Sequence, residues 1–133
     1  MGSIHFLDTE LRCKCGCNVV NMDPDFMSKL ETLRQLFGKK MKLDSAFRCK
    51  TWNQKVGGAP DSQHLYGRAV DVAIHDDADR YRLFSLAVTC GFSGIGVHHD
   101  FIHIDTRPGP RQVMWVYAST APQVPQRTAS PEL

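Results

Sequence analysis

The chain has 133 residues, 42% of them hydrophobic and 23% charged, which suits one globular domain with a core of its own. Its 16 Lys and Arg stand against 14 Asp and Glu, a formal net charge of +2 that is too balanced for a nucleic-acid partner. No apolar stretch reaches membrane-spanning length, so stable membrane insertion is not expected.

The N-terminus "MGSIHFLDTELRCKC" has neither a basic n-region nor a long apolar h-region, so synthesis in the cytoplasm without a signal peptide is the expectation. Residues 1–22 read as an irregular lead-in. "CKCGC" holds Cys13, Cys15 and Cys17; Cys49 and Cys90 complete an odd count of 5 that does not resemble a secreted disulfide framework. With Cys49 or Cys90 the three could form a structural zinc site. Their spacing is C-x-C-x-C, however, rather than the C-x₂₋₄-C usual for zinc, and small buried thiols are the favoured reading.

"DPDFMSKLETLRQLFGKK" predicts the first helix, with Asp23 as cap, Pro24 in the first turn and Gly38 as the stop. Phe26, Leu30, Leu33 and Phe37 recur at helical spacing and form one apolar stripe. "MKLDSAF" predicts a short strand, "CKTWNQKV" a short helix and "GGAPDSQ" a loop. "RAVDVAI" is a strand buried on at least one face, and "DDADRYRLFSLAVTCG" a second long helix ending at Gly91. "GIGV", "FIHIDT" and "QVMWVY" are short strands. The Pro-, Ser- and Thr-rich tail 119–133 is expected to be disordered, leaving a single domain over 1–118. Helices and strands mix without βαβ regularity, so the class is α+β with a mainly antiparallel sheet and flanking helices.

Asp71 sits inside the apolar run "AVDVAI", where an unpaired carboxylate would be costly. Five of the 6 histidines fall between positions 64 and 103. Neighbouring strands lie about 4.8 Å apart, so Asp71 and His103 can share one face of a small sheet, with His64 folding over them from its loop. Two imidazoles and one carboxylate are a three-ligand set for one zinc ion, leaving a fourth position open. Such a centre needs a base, and Asp100, three residues before His103, is the candidate. Arg48 is the candidate cation for a developing oxyanion.

"SQHLYGRAVD" matches the pattern S-x-H-x-x-G-x-A-x-D and so resembles the M15 zinc peptidases. "FIHID" looks like that family's second metal motif, and "SAFRCKTWN" is similar to its S-G-Y-R-C-x-x-x-N segment. The resemblance spans roughly residues 13–110 and implies the D-alanyl-D-alanine carboxypeptidase/hedgehog-like fold. It implies metal ligands at His64, Asp71 and His103, a base at Asp100, and substrate contacts at Arg48 and Ser62. Gly67 and Ala69 match its small positions, which would let the loop approach the metal closely. His98 and His99 depart from the pattern, and either could donate a proton or stabilise a transition state.

The implied activity is zinc-dependent hydrolysis of the peptide stem of bacterial peptidoglycan by a monomer, as a phage-endolysin-type endopeptidase or a D,D-carboxypeptidase. A phage or prophage product made in the host cell and acting on the wall after release is the expected setting. The alternative is a non-catalytic, zinc-containing wall-binding or structural module of the same fold. Asp105 is expected to form a salt bridge with Arg107, or to orient His103.

Overall fold

The structure is a computed structural model, and it describes residues 2–118. The tail expected to be disordered lies outside the described residues. The lead-in is less irregular than its composition suggests: it contains a short helix, α1 (Asp8–Leu11), whose Leu11 is fully buried.

Helix α2 (Pro24–Phe37) begins and ends where the sequence predicts. The Asp23 carboxylate accepts from the Phe26 N–H at 2.9 Å, satisfying one of the donors a helix start leaves unpaired. Gly38 closes the helix in the left-handed conformation at φ 81°. The stripe Phe26, Leu30, Leu33 and Phe37 is buried, joined by Met27. Each fully buried side chain of this size contributes roughly 1.5–3 kcal/mol. The short helix α3 (Lys50–Lys55) follows strand β1 (Leu43–Ser45). Helix α4 (Asp77–Thr89) starts at the Asp76 carboxylate, which accepts from the Ala78 and Asp79 N–H groups. The two long helices cover one side of the sheet, with Phe26 meeting Phe92 edge to face at 5.9 Å.

Among the described residues the sheet has five strands in the order β1-β2-β4-β3-β5: Leu43–Ser45, Ala69–Ala73, Phe101–Asp105, Gly94–Val97 and Val113–Val116. All pairings are antiparallel except β3 with β5, because the chain steps past β3 after leaving β4. Alternation divides the strands into two faces. Val70, Val72, Ile95, Ile102 and Ile104 point into the core under the helices. Asp71, Gly96, His103 and Trp115 share the opposite face, aligned across three strand pairs. A 3-10 helix (Gln63–Tyr66) brings His64 against Asp71 on that side, and helix α3 adjoins it through Asn53, which meets the same Arg48 that reaches Asp71. The 3-10 helix replaces part of the predicted loop.

Strand β1 carries a bulge. Leu43 pairs with Val72 and Ser45 with Asp71, so two steps along β1 match one step along β2. This bulge turns Ser45 onto the Asp71 face and aims residues 46–48 across it.

Candidate metal centre

Asp71 and His103 are direct register partners in β2 and β4. His64 arrives from the 3-10 helix, which Ser62 caps by accepting the His64 N–H at 3.2 Å. The Asp71 Oδ1 lies 3.2 Å from His64 Nε2 and 3.0 Å from His103 Nδ1, and the three candidate ligand atoms all lie within 4.8 Å of one another. All three residues are buried, at 2% exposure for His64, 7% for Asp71 and 5% for His103.

The far nitrogens of the two rings decide the chemistry of the near ones. His64 Nδ1 is 2.7 Å from the Ala46 carbonyl oxygen, which can only accept, so Nδ1 carries the proton. His103 Nε2 is 2.7 Å from the Asp105 carboxylate and donates to it. In neutral rings this leaves His64 Nε2 and His103 Nδ1 as lone pairs, both facing a carboxylate oxygen. Three acceptors that converge without a proton between them repel one another. A divalent cation resolves the conflict, and two imidazoles with one carboxylate are a zinc donor set. The residues therefore fit the metal the sequence implies.

Without the cation, protons must serve. Burial alone would raise the Asp71 pKa, but hydrogen bonds from His103 and His64 hold it well below the usual carboxylate range. Burial pulls His103 down, yet its bonds to Asp105 and Asp71 outweigh that and raise it. Asp105 is held at about 2: burial opposes its ionisation, and the bonds from His103 and Arg107 overcome it. Asp105 thus does both things expected of it, since its carboxylate receives His103 and is clasped by Arg107 at 2.7 Å.

The centre forms the floor of a cavity of about 450 Å³ whose walls include Arg48, Asp61, Ser62, Phe101, Trp115 and Tyr117. Arg48 reaches in from the bulged segment: Nε donates to Ser45 Oγ at 3.1 Å, Nη1 to Asn53 Oδ1 at 3.0 Å, and Nη2 to Asp71 Oδ2 at 3.4 Å. Trp115 lies against His103 with ring centroids 5.3 Å apart. A Cβ on Gly96 would sit 2.5 Å from the Trp115 indole nitrogen, so glycine in β3 makes room for the ring. Burial pushes the Tyr117 phenol above its ordinary value, keeping it a neutral donor.

The structure brings His64, Asp71, His103, Arg48 and Ser62 to one place. It does not bring Asp100 into the cavity wall. Asp100 lies at the tip of the β3–β4 hairpin with its side chain 59% exposed, and its carboxylate pairs with His99 Nδ1 at 3.0 Å. That bond lowers its pKa. His98 is also outside the lining, but its ring stacks on Phe101 at 4.5 Å and meets Tyr117 edge-on at 5.8 Å, and both of those rings line the cavity. Gly67 adopts φ 68°, and a Cβ there would come within 2.0 Å of the Asn21 carbonyl oxygen. Its small size thus admits the lead-in segment. The expectation of buried thiols holds for Cys13 alone in "CKCGC", since Cys15 and Cys17 are exposed. Sequence reasoning misses Trp115 and Tyr117 as wall residues; the two-residue alternation in "QVMWVY" is the signal that places them on one face.

An α+β sheet that presents two oriented histidines and one aspartate below an open cavity forms a candidate centre for one zinc ion. The family model described as Peptidase M15 matches residues 4–105, and the chain belongs to that family. The chain is similar to the zinc D-Ala-D-Ala carboxypeptidase of Streptomyces albus G, with 33% identity over 86 residues. That match covers 59% of this chain and 32% of the relative, so the chain spans about a third of the length of the curated relative it matches.

Proposed function

We propose that the chain is a zinc-dependent peptidase that cleaves the peptide stem of bacterial peptidoglycan, as an endolysin-type endopeptidase or a D,D-carboxypeptidase. The convergence of His64 Nε2, Asp71 Oδ1 and His103 Nδ1, each oriented by its other contacts, is the observation that carries this reading. The relative's name, a D-Ala-D-Ala carboxypeptidase, supports the substrate class.

Those three atoms would hold one zinc ion with a position left open toward the cavity. Bound there, zinc supplies a water acidified to a pKa of ~7 and polarises a carbonyl. The chain's own groups do the rest. Arg48 stays charged at any working pH, and its guanidinium stands beside Asp71 where it can meet negative charge growing on the substrate carbonyl oxygen. Tyr117 adds a neutral O–H donor on the same wall. Ser62 holds the 3-10 helix through its hydroxyl and sits at the substrate side of His64.

Two residues are candidates for moving the proton from water to leaving amine. His98 is favoured by its contacts with Phe101 and Tyr117, two rings of the cavity wall. Its Nδ1 accepts the Asp100 backbone N–H at 3.0 Å, leaving Nε2 for proton exchange. Asp100 is the other, and would need the hairpin tip to turn inward when substrate binds.

The test uses zinc-loaded protein on purified cell walls and on defined muropeptides, with and without chelator, and product masses as the readout. Loss of a D-alanine marks a carboxypeptidase, and internal cleavage an endopeptidase. His98→Ala and Asp100→Ala should both keep zinc; the one that lowers hydrolysis by ~10²–10⁴ carried the proton. Unchanged walls and muropeptides in the zinc-loaded sample would refute the proposal and leave a non-catalytic module.

A further inference from the structure

The chain's second set of metal-ligating side chains lies outside the cavity. Cys13, Cys15, Cys17 and Cys49 place four sulfurs within 4.8 Å of one another, although Cys49 is 36 residues from Cys13. Alternate residues of an extended chain lie ~6.6 Å apart, which is why C-x-C-x-C reads poorly as a metal motif. Here the chain is not extended. Gly16 at φ 99° and Asn18 at φ 62° are both left-handed, and the Cys13 N–H bonds back to the Val19 carbonyl at 2.9 Å. The turn folds three cysteines to one point, and Cys49, capping α3, completes the group.

We propose that these four cysteines form a second, structural zinc site. A tetrahedral tetrathiolate with Zn–S bonds of ~2.3 Å sets its sulfurs ~3.8 Å apart. The Cys15 and Cys49 sulfurs are 3.7 Å apart, far from the ~2.05 Å of a disulfide. Three of the four sulfurs lie near backbone N–H groups: Cys49 N to Cys13 Sγ at 3.3 Å, Cys17 N to Cys15 Sγ at 3.4 Å, and Trp52 N to Cys49 Sγ at 3.4 Å. Donors aimed at sulfur are what thiolate ligands use as outer support. Four thiolates around one zinc carry two net negative charges, and the sequence flanks the ligands with cations: Arg12, Lys14 and Lys50. Four protein ligands leave no open position, so this site holds structure and does no hydrolysis.

Its place explains its use. Cys49 follows Arg48, in the segment that delivers the Ala46 carbonyl to His64 and the Arg48 guanidinium to Asp71. The Phe47 N–H already reaches the Leu11 carbonyl at 3.2 Å. Zinc between the two segments would pin the lead-in turn to the arm that orients the catalytic centre.

Elemental analysis of protein purified from zinc-supplemented cells tests this without reference to hydrolysis. Wild type should hold about two zinc ions per chain, and His64→Ala and the Cys15→Ser/Cys17→Ser double variant about one each. Cobalt reconstitution should give thiolate-to-metal charge-transfer absorption in wild type and in His64→Ala, but not in the double variant. Should the double variant fail to fold, alkylation of wild type decides: zinc should protect Cys13, Cys15, Cys17 and Cys49, and chelation should expose them, with Cys90 as the internal reference. About one zinc in wild type with the four thiols freely alkylated would overturn the proposal. So would an intact mass lowered by disulfide formation.

Discussion

Asp105 is the residue on which the orientation of His103 turns. It is fully buried, receives the imidazole Nε2–H and is itself clasped by Arg107, so in the neutral ring the nitrogen facing Asp71 is left as a lone pair. Asp105→Asn keeps the shape but removes the charge that favours this arrangement. It should weaken zinc affinity by ~10–100-fold, measured by competition with a chromogenic chelator, with little change in secondary structure. Unaltered affinity would show that packing alone orients the ring. At this scale the candidate ligands are legible because spacing and residue type specify them: an acid in an apolar strand requires a counter-charge, and histidines at strand and loop positions could supply one with a metal. The proton carrier is not legible. Asp100 and His98 both lie near His103 in sequence, but the pleat and the hairpin tip decide which side each side chain takes. Only the assembled β3–β4 hairpin shows His98 among the aromatic rings and Asp100 paired with His99 in solvent.

At the scale of elements, α2 is written out locally. Asp23→Ala removes the cap and should cost about 1 kcal/mol, read as a lower urea midpoint at unchanged slope. The same helix anchors the lead-in through Glu31. Its carboxylate accepts from the Ser3 hydroxyl and from the His5 N–H at 2.8 Å, and pairs with the His5 ring. Burial opposes ionisation, but these bonds from Ser3 and His5 win, and the Glu31 pKa falls below its ordinary value. A depressed folded pKa contributes stability above the unfolded value of about 4.3, and that contribution is lost as pH falls through the folded value. Wild type should therefore exceed Glu31→Gln in stability near pH 7, with the gap closing as pH falls below the unfolded value and through the lower folded one. A constant gap would remove Glu31's charge from the account. The bulge in β1 has no signal of this kind. It arises because Leu43 must face the core while Ser45 and Arg48 must face the cavity, a conflict that exists only once β1 pairs with β2.

At the scale of the molecule, the metal centre joins β2, β4 and the 3-10 helix, elements that the unfolded chain does not hold together. Zinc therefore binds the native state and stabilises it by mass action. Free zinc at one hundred times its dissociation constant is worth about 2.7 kcal/mol, so chelation should lower Tm by roughly 10 °C in differential scanning calorimetry. A Tm indifferent to chelator would argue against a resident metal. The sequence by itself determined what depends on local geometry and on pairwise chemistry: the long helices with their caps and stripes, the strands, and the three candidate ligands His64, Asp71 and His103. Helical and strand periods are properties of a few consecutive residues, and a buried acid declares its need for a partner wherever the strand ends up. Only the tertiary structure decided the cavity wall of Trp115 and Tyr117, the room that Gly96 makes for it, and the side on which Asp100 lies. It also decided the meeting of Cys49 with "CKCGC". Each of these depends on which strands pair, in what register, and where a left-handed turn sends the chain, and no local stretch of sequence contains both halves of such a contact.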